Sequence, residues 1–138
     1  MNAKNRSRNT ADELARAEQA LQAAELLTGN GFHTDAVSKL YYYLLYHVRA
    51  LLLTKGLEPK SHEGAIRLLA QHFEKDGPLP HGSASMLAKI MKFREEVDYN
   101  AAISFTREDY LNLHQESVEL ANAIRRIIDQ ADQVSPAE

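Results

Sequence analysis

Arg94 and Asp98 stand four residues apart in Lys92-Phe93-Arg94-Glu95-Glu96-Val97-Asp98-Tyr99. That spacing puts two side chains on one face of a helix. Phe93 and Val97 continue an apolar stripe begun by Met86 and Ile90, while Arg94 and Asp98 extend the neighbouring stripe of Leu87 and Met91. A guanidinium and a carboxylate are thereby held together beside the core, where a charge is costly unless paired. Arginine can hold phosphate charge and aspartate can take a proton. The same spacing also describes a plain intrahelical ion pair, worth roughly 0.3–0.5 kcal/mol when exposed. Spacing alone leaves both readings open.

Two further groups have the residue types for binding. Tyr42, Tyr46 and Arg49 follow at i, i+4 and i+7 on one face of the second helical segment, a ladder that could stack nucleobases and hold phosphate. The preferred reading is a dimer interface, where Tyr and Arg are enriched, because a full bundle has no need of a second, aromatic face for its core. Tyr41 falls instead on the inward stripe and is expected in the core with its hydroxyl partnered. Lys60-Ser61-His62 opens the third helix, where free N–H groups and the helix dipole favour an anion. From spacing alone the preferred reading is an ordinary N-cap with solvated neighbours.

Other chemistries drop out. The six histidines include no pair on one helical turn with a nearby carboxylate, so no metal site is expected. The absence of cysteine removes disulfides, thiolate ligands and cysteine nucleophiles. There is no glycine-rich phosphate loop after a strand and no serine-centred nucleophile motif, and no cofactor is called for.

The elements that must position these residues read as helices. Of 138 residues, 44% are apolar and 25% charged, ordinary for one globular domain. A net charge of −3 argues against a broadly basic nucleic-acid-coating surface. Met1 to Thr10 is polar and basic and reads as no signal peptide, and no stretch approaches the ~20 apolar residues of a membrane span. A soluble, cytoplasmic protein is expected. Residues 1–9 and 133–138 read as flexible tails. Thr10-Ala11-Asp12-Glu13 fits a capping box for helix one, with Leu14, Ala17, Leu21, Ala24 and Leu27 at helical spacing until Gly29-Asn30-Gly31. Helix two runs from near Thr34 to Lys55-Gly56 with a broad stripe (Val37, Leu40, Tyr41, Leu44, Val48, Leu51, Leu52) and is expected at the centre. Ser61 caps helix three, which carries Ala65, Ile66, Leu69 and Phe73. Ser83 or Ser85 caps helix four, which ends near Tyr99. Thr106-Arg107-Glu108-Asp109 caps helix five, with Tyr110, Leu113, Leu120, Ile124, Ile127 and Ala131 inward. Short linkers and no strand alternation predict an all-α, antiparallel up-and-down bundle of about five helices around a four-helix core.

Five segments occur in order along the chain: Ala36-Val37-Ser38-Lys39-Leu40-Tyr41-Tyr42, Ala50-Leu51-Leu52, Gly56, Lys60-Ser61-His62-Glu63-Gly64 and Arg94-Glu95-Glu96-Val97-Asp98-Tyr99. In combination they resemble the HEPN domain family (higher eukaryote and prokaryote nucleotide-binding), in its small stand-alone prokaryotic branch. The resemblance implies a helical bundle, usually a homodimer, often paired with a minimal nucleotidyltransferase in a toxin–antitoxin system. In active members an arginine on the late helix, a polar neighbour and a histidine just over a turn later cleave RNA without metal where two copies meet. Arg94 and Glu95 match the first two, but Tyr99, Asn100 and Ala101 stand where the histidine is expected, with Asp98 just before. An aspartate of pKa ~4 can act as a base but is a poor general acid at neutral pH. Glu95 and Glu96 also place negative charge where an RNA backbone would approach.

The resemblance therefore implies a non-catalytic or weakly active component that binds nucleotide, RNA or a partner, with Tyr42, Tyr46, Arg49, Lys60 and His62 as binding residues. The alternative is a metal-independent endoribonuclease toxin with Arg94 central, Asp98 and Tyr99 supporting, and His62 as a substitute imidazole. In some paired systems the nucleotidyltransferase adenylylates a tyrosine of this motif, and Tyr99 is the corresponding acceptor.

Overall fold

The computed structural model describes residues 3–134. Five α-helices follow one another: α1 (Ala3–Gly29), α2 (His33–Leu53), α3 (His62–Leu69), α4 (Ser83–Tyr99) and α5 (Arg107–Val134), with one π-helical turn, Ala70–Glu74, continuing α3. No strand occurs among the described residues, and the fold is the all-α bundle that the apolar spacing predicts. The expected tail at 133–138 lies, from residue 135 on, outside the described residues.

Helix α2 is the centre. Every residue of its predicted stripe is fully buried, and Ala36, Tyr43, Leu45, His47, Ala50 and Leu53 are buried as well. Of its 21 residues only Asp35, Lys39 and Arg49 are exposed. It packs against α1, α3, α4 and α5. A helix apolar on so much of its circumference can be stable in water only when surrounded, and the other four helices supply that cover.

The start of α1 departs from the sequence reading. Thr10 does not cap the helix; it lies inside it, buried, and its hydroxyl donates to the Arg6 carbonyl at 2.7 Å. Residues 3–9 are helical rather than frayed because tertiary contacts hold them. The Arg6 guanidinium lies close to Gly56 beyond the end of α2. Glu13, expected to reach back as the second half of a capping box, instead pairs with Arg49 Nε at 3.1 Å.

The remaining caps divide between local and distant chemistry. Ser61 caps α3, its Oγ accepting from Gly64 N–H at 2.8 Å. Thr106 and Asp109 form a reciprocal box at α5, with Asp109 N–H to Thr106 Oγ1 at 3.0 Å and Thr106 N–H to Asp109 Oδ2 at 2.9 Å. At α4 neither expected serine caps. Ser83 is buried and donates to the Pro80 carbonyl, while Ser85 is exposed. The Glu74 carboxylate, delivered by the π-helical turn, accepts from Gly82 N–H at 2.9 Å and Ala84 N–H at 2.8 Å. Gly82 can take this place because its φ of +97° is a left-handed conformation that other residues adopt at a penalty. An anion also complements the positive end of α4's dipole.

The bonds from Ala84 and Gly82 hold the Glu74 carboxyl below its ordinary 4.5. Glu74→Ala should lower unfolding free energy by about 1–2 kcal/mol, measured by urea titration at pH 7. Because the folded-state pKa is depressed, this contribution is present above the unfolded value and is lost as pH falls through the folded one. The gap between wild type and variant should therefore close in acid.

Candidate functional site

Near its C-terminal end α4 lays Arg94 against the outward-turned tyrosines of α2. Arg94 Nη1 donates to Tyr42 Oη at 3.0 Å, and Nη2 lies 3.5 Å from Asp98 Oδ2. The guanidinium sits 5.3 Å from the Tyr41 ring centre and 5.6 Å from that of Tyr42, within cation–π range of both. Its side chain is only 14% exposed. The i,i+4 pair expected from the sequence is therefore present, and α2's aromatic rings enclose its cation.

This enclosure leaves polar groups unanswered. Arg94 Nε has no hydrogen-bond partner among the described residues. Tyr41 is fully buried, and its hydroxyl, expected to find a partner, has none either. Burial pushes that hydroxyl well above the usual tyrosine range, with nearby Arg94 opposing only in part. His62, at the start of α3, packs its ring 5.5 Å from Tyr41. Arg94 and His62 thus both pack on the Tyr41 ring.

The structure separates the other candidates. Tyr99 is 84% exposed, and no hydrogen bond, ion pair or ring contact joins it to Arg94, Tyr41 or His62 among the described residues. Tyr42 and Tyr46 are half-buried, with ring centres 6.1 Å apart, and they pack partly on the small residues Ala17 and Ala20 of α1. The bundle therefore does use this aromatic face in part, because α1's alanines let the tyrosines approach. The ladder does not end in Arg49, whose guanidinium is drawn sideways to Glu13. Arg16 and Lys39 take its place, lining with Tyr42 and Tyr46 a shallow trough of about 690 Å3. Arg49 faces Lys60 and His62 instead, across a smaller hollow. Arg16 and Lys39 carry no signal in the sequence that would single them out, since only the α1–α2 packing brings them together.

His47 was also not legible as a site residue. It is fully buried on α2, with Nδ1 2.9 Å from the Tyr43 carbonyl and Nε2 2.8 Å from Arg125 Nε of α5. Arg125 can only donate, so Nε2 carries the lone pair and Nδ1–H donates to the carbonyl. Arg125 in turn meets Glu18 of α1 at 3.3 Å. One neutral imidazole thus joins three helices. No group of three or more His, Asp or Glu that could hold a metal occurs among the described residues. None of the described helices is long and apolar enough to cross a membrane.

An all-α bundle whose fourth helix carries Arg94 is what the resemblance to the HEPN family implies. The HEPN domain family matches residues 11–131, and the chain belongs to that family. Among relatives, the Methanocaldococcus jannaschii protein named "Putative toxin MJ0142" is 35% identical over 96 residues, 70% of this chain and 65% of that protein. A Gloeobacter violaceus protein named UPF0332 protein glr0978 is 40% identical over 93 residues, 67% of this chain and 74% of its own. A UPF0332 protein of Thermotoga maritima is 30% identical over 114 residues, 83% of this chain and 86% of its own. The chain thus spans somewhat less than two thirds of the first of these relatives and most of the other two.

Burial is the main cause that lowers His47 to about 4, with Arg125 adding to it and the Tyr43 bond opposing. The unfolded imidazole, near 6.5, takes its proton first on acidification, so stability is full above pH ~6.5 and falls as pH drops towards 4. The loss attributable to this residue should approach about 3 kcal/mol. Urea midpoints across pH 7.5 to 4.5 measure it. His47→Gln, which keeps an acceptor for Arg125, should remove that part of the slope.

Proposed function

We propose that this chain is a non-catalytic HEPN module that binds single-stranded RNA or nucleotide, the toxin-like half of a two-component cytoplasmic system with a minimal nucleotidyltransferase as antitoxin. The state of Arg94 carries this reading. Two of its nitrogens engage the chain's own Tyr42 and Asp98, and no histidine hydrogen-bonds or ion-pairs with it among the described residues. General acid catalysis at neutral pH needs a group that can give up a proton in contact with the leaving oxygen, and Asp98 is poorly suited to that. Binding needs less. In the trough, Tyr42 and Tyr46 offer faces on which bases stack, and Arg16 and Lys39 offer charge to the backbone.

A homodimer is part of the proposal. Tyrosine and arginine are enriched at interfaces, and a second copy meeting the α2 face would bring two sets of tyrosines to one strand. The toxin role draws on the relatives from Methanocaldococcus jannaschii, two of whose names carry the word toxin. Tyr99, exposed near the Arg94–Asp98 pair in sequence, suits the role of adenylylation acceptor for the nucleotidyltransferase.

One observation favours the second reading, a metal-independent endoribonuclease. The Arg94 Nε and the Tyr41 hydroxyl have no hydrogen-bond partner among the described residues, and His62 packs on the same Tyr41 ring, so donors for a phosphate lie around that ring.

Purified protein incubated with cellular RNA in chelator separates the two. Wild type and Arg94→Ala should leave equal, background levels of cleaved RNA; cleavage by wild type alone would establish the ribonuclease. In the same preparation Tyr46→Ala should weaken binding of a labelled oligoribonucleotide about fivefold or more, as loss of one stacking platform implies. Sedimentation at micromolar concentration should give a dimer. A monomer would remove the two-copy surface.

A further inference from the structure

Four helix ends meet at one end of the bundle. Phe105 N–H, in the link between α4 and α5, donates to Thr34 Oγ1 at the start of α2 at 2.8 Å, and the Phe105 ring packs 5.3 Å from that of Phe93 of α4. His33 Nδ1 of α2 lies 2.6 Å from Thr28 Oγ1 of α1, and His114 Nε2 of α5 lies 4.0 Å from Glu25 Oε2 of α1. The last turns of α1 and α4 therefore stand beside the first turns of α2 and α5. At the opposite end Arg6, near the start of α1, lies beside Gly56 beyond α2.

The two ends differ in exposed apolar surface and in charge. Leu26, Phe32, Leu111 and Tyr99 are 70%, 56%, 47% and 84% exposed, and they are the large apolar side chains left in solvent among the described residues. All four stand at the first end, on the last turns of α1 and α4, the turn before α2 and the start of α5. Single exposed apolar residues are ordinary, but several gathered at one end from distant parts of a chain are a mark of an interaction surface. Residues 25–35 and 95–111, which build this end, hold seven carboxylates and one fixed cation, Arg107. Asp98 faces Arg94, Asp109 caps α5 and Glu25 meets only His114. Asp35, Glu95, Glu96 and Glu108 form no ion pair among the described residues. The opposite end has the reverse character: residues 3–9 carry three cations and no carboxylate, and Lys55 stands close by.

We infer that this acidic, apolar end is a docking surface for a basic amphipathic helix of a partner protein. The apolar side of such a helix covers Leu26, Phe32 and Leu111, and its flanking Lys and Arg side chains meet the free carboxylates. Charge complementarity selects this occupant. Lys and Arg lay their aliphatic stems along apolar side chains while the charged heads reach outward, and the Phe32 and Tyr99 rings offer faces to a guanidinium. A nucleic acid or an anionic membrane would bring phosphates against the same carboxylates and be repelled. A second copy of this chain fits less well: its basic end supplies cations without exposed large apolar side chains, and its acidic end supplies like charge. The inference goes beyond the RNA-binding reading and rests on neither that reading nor the acceptor role of Tyr99.

Fluorescence anisotropy of the full chain with a labelled synthetic helix of leucine and lysine, apolar along one side, tests the surface. The controls are a leucine–glutamate counterpart and a leucine–lysine peptide of the same composition, reordered so that no apolar side forms. The lysine helix should bind about tenfold or more tightly than either control. Leu26→Ser with Phe32→Ser should weaken it about tenfold and leave the thermal melt unmoved, since side chains already in water hold up little of the core. Leu111→Ser with Tyr99→Ser is a second pair with the same expectation, should the first disturb folding. Glu95→Gln with Glu108→Gln should weaken binding about threefold or more at low salt and less at high salt. Glu116→Gln with Glu119→Gln removes equal charge from the middle of α5 and should change affinity by less than about twofold. Equal losses from the two charge pairs would reveal attraction by net charge alone and overturn the assignment. So would equal binding of the reordered peptide, or binding indifferent to both apolar pairs. If sedimentation shows self-association that the Leu26–Phe32 change abolishes and the lysine helix does not compete with, the surface belongs to a second copy and the partner helix is ruled out.

Discussion

The bundle is organised by a single requirement: α2 has to be enclosed on nearly its whole circumference, yet it carries tyrosines, a histidine and an arginine. Each polar group that enclosure takes from water has to be answered by another helix or left unsatisfied at a cost. The answers come from three directions. Arg125 of α5 meets the buried His47, Arg94 of α4 meets the half-buried Tyr42, and the exposed Arg49 of α2 meets the buried Glu13 of α1. These contacts do more than hold α2. They fix the rotation of each surrounding helix, because a guanidinium or carboxylate can reach its partner from only a narrow range of angles, whereas apolar side chains tolerate repacking. The candidate site is in part a by-product of these contacts: Tyr42 lines the trough, and Glu13 and Arg49 line the hollows beside it.

What the sequence reveals follows from the range of the interactions. Helical spacing, the Ser61 cap, the Thr106–Asp109 box and the Arg94–Asp98 pair all involve residues within four positions of one another, and all are present. The failures are of one kind. Thr10 and Glu13 have the spacing of a capping box, but Glu13 is taken by Arg49, 36 positions away. Ser83 and Ser85 have the chemistry of a cap, but Glu74 reaches α4's N–H groups first, and a carboxylate is the stronger acceptor. Arg49 has the spacing of a third rung above Tyr42 and Tyr46, and the same Glu13 turns it away. In each case a charged group from a distant element displaced a neutral or unpaired local one. Local pattern cannot report that competition, because its outcome depends on which helices become neighbours.

Between two aromatic rings and beside α4's own carboxylate, the charge of Arg94 is compensated without a full set of hydrogen bonds. Aromatic faces stabilise a cation at little desolvation penalty of their own, which lets Nε remain unpartnered. The Tyr41 hydroxyl nearby cannot easily relieve the deficit: it is fully buried, and ionising it is made harder by that burial. A residue in this setting is rigid and charged, features that suit holding an anion. It lacks a mobile proton and open access, features that a proton-transfer site requires. Tyr41 is the shared neighbour of Arg94 and His62, and no hydrogen bond or ion pair joins the two cations among the described residues.

The balance of charge bears on how such a surface meets a polyanion. With 16 basic and 19 acidic residues the chain has no net positive field to draw RNA from a distance, and several cations near the site already have carboxylate partners: Arg16 and Arg49 on Glu13, Arg94 on Asp98, Arg125 on Glu18. A phosphate arriving there exchanges one anion for another, and the net electrostatic gain is small. In the proposed binding, attraction then depends on contact, on tyrosine faces for bases and on Lys39 and Lys60, which have no carboxylate partner among the described residues. Counterion release scales with the number of phosphates neutralised, so a surface of this design should show a shallow salt dependence and owe its selectivity to shape and hydrogen bonding. Binding of the proposed kind would favour short, unpaired stretches over duplex, since only an unpaired base can turn its face to Tyr46.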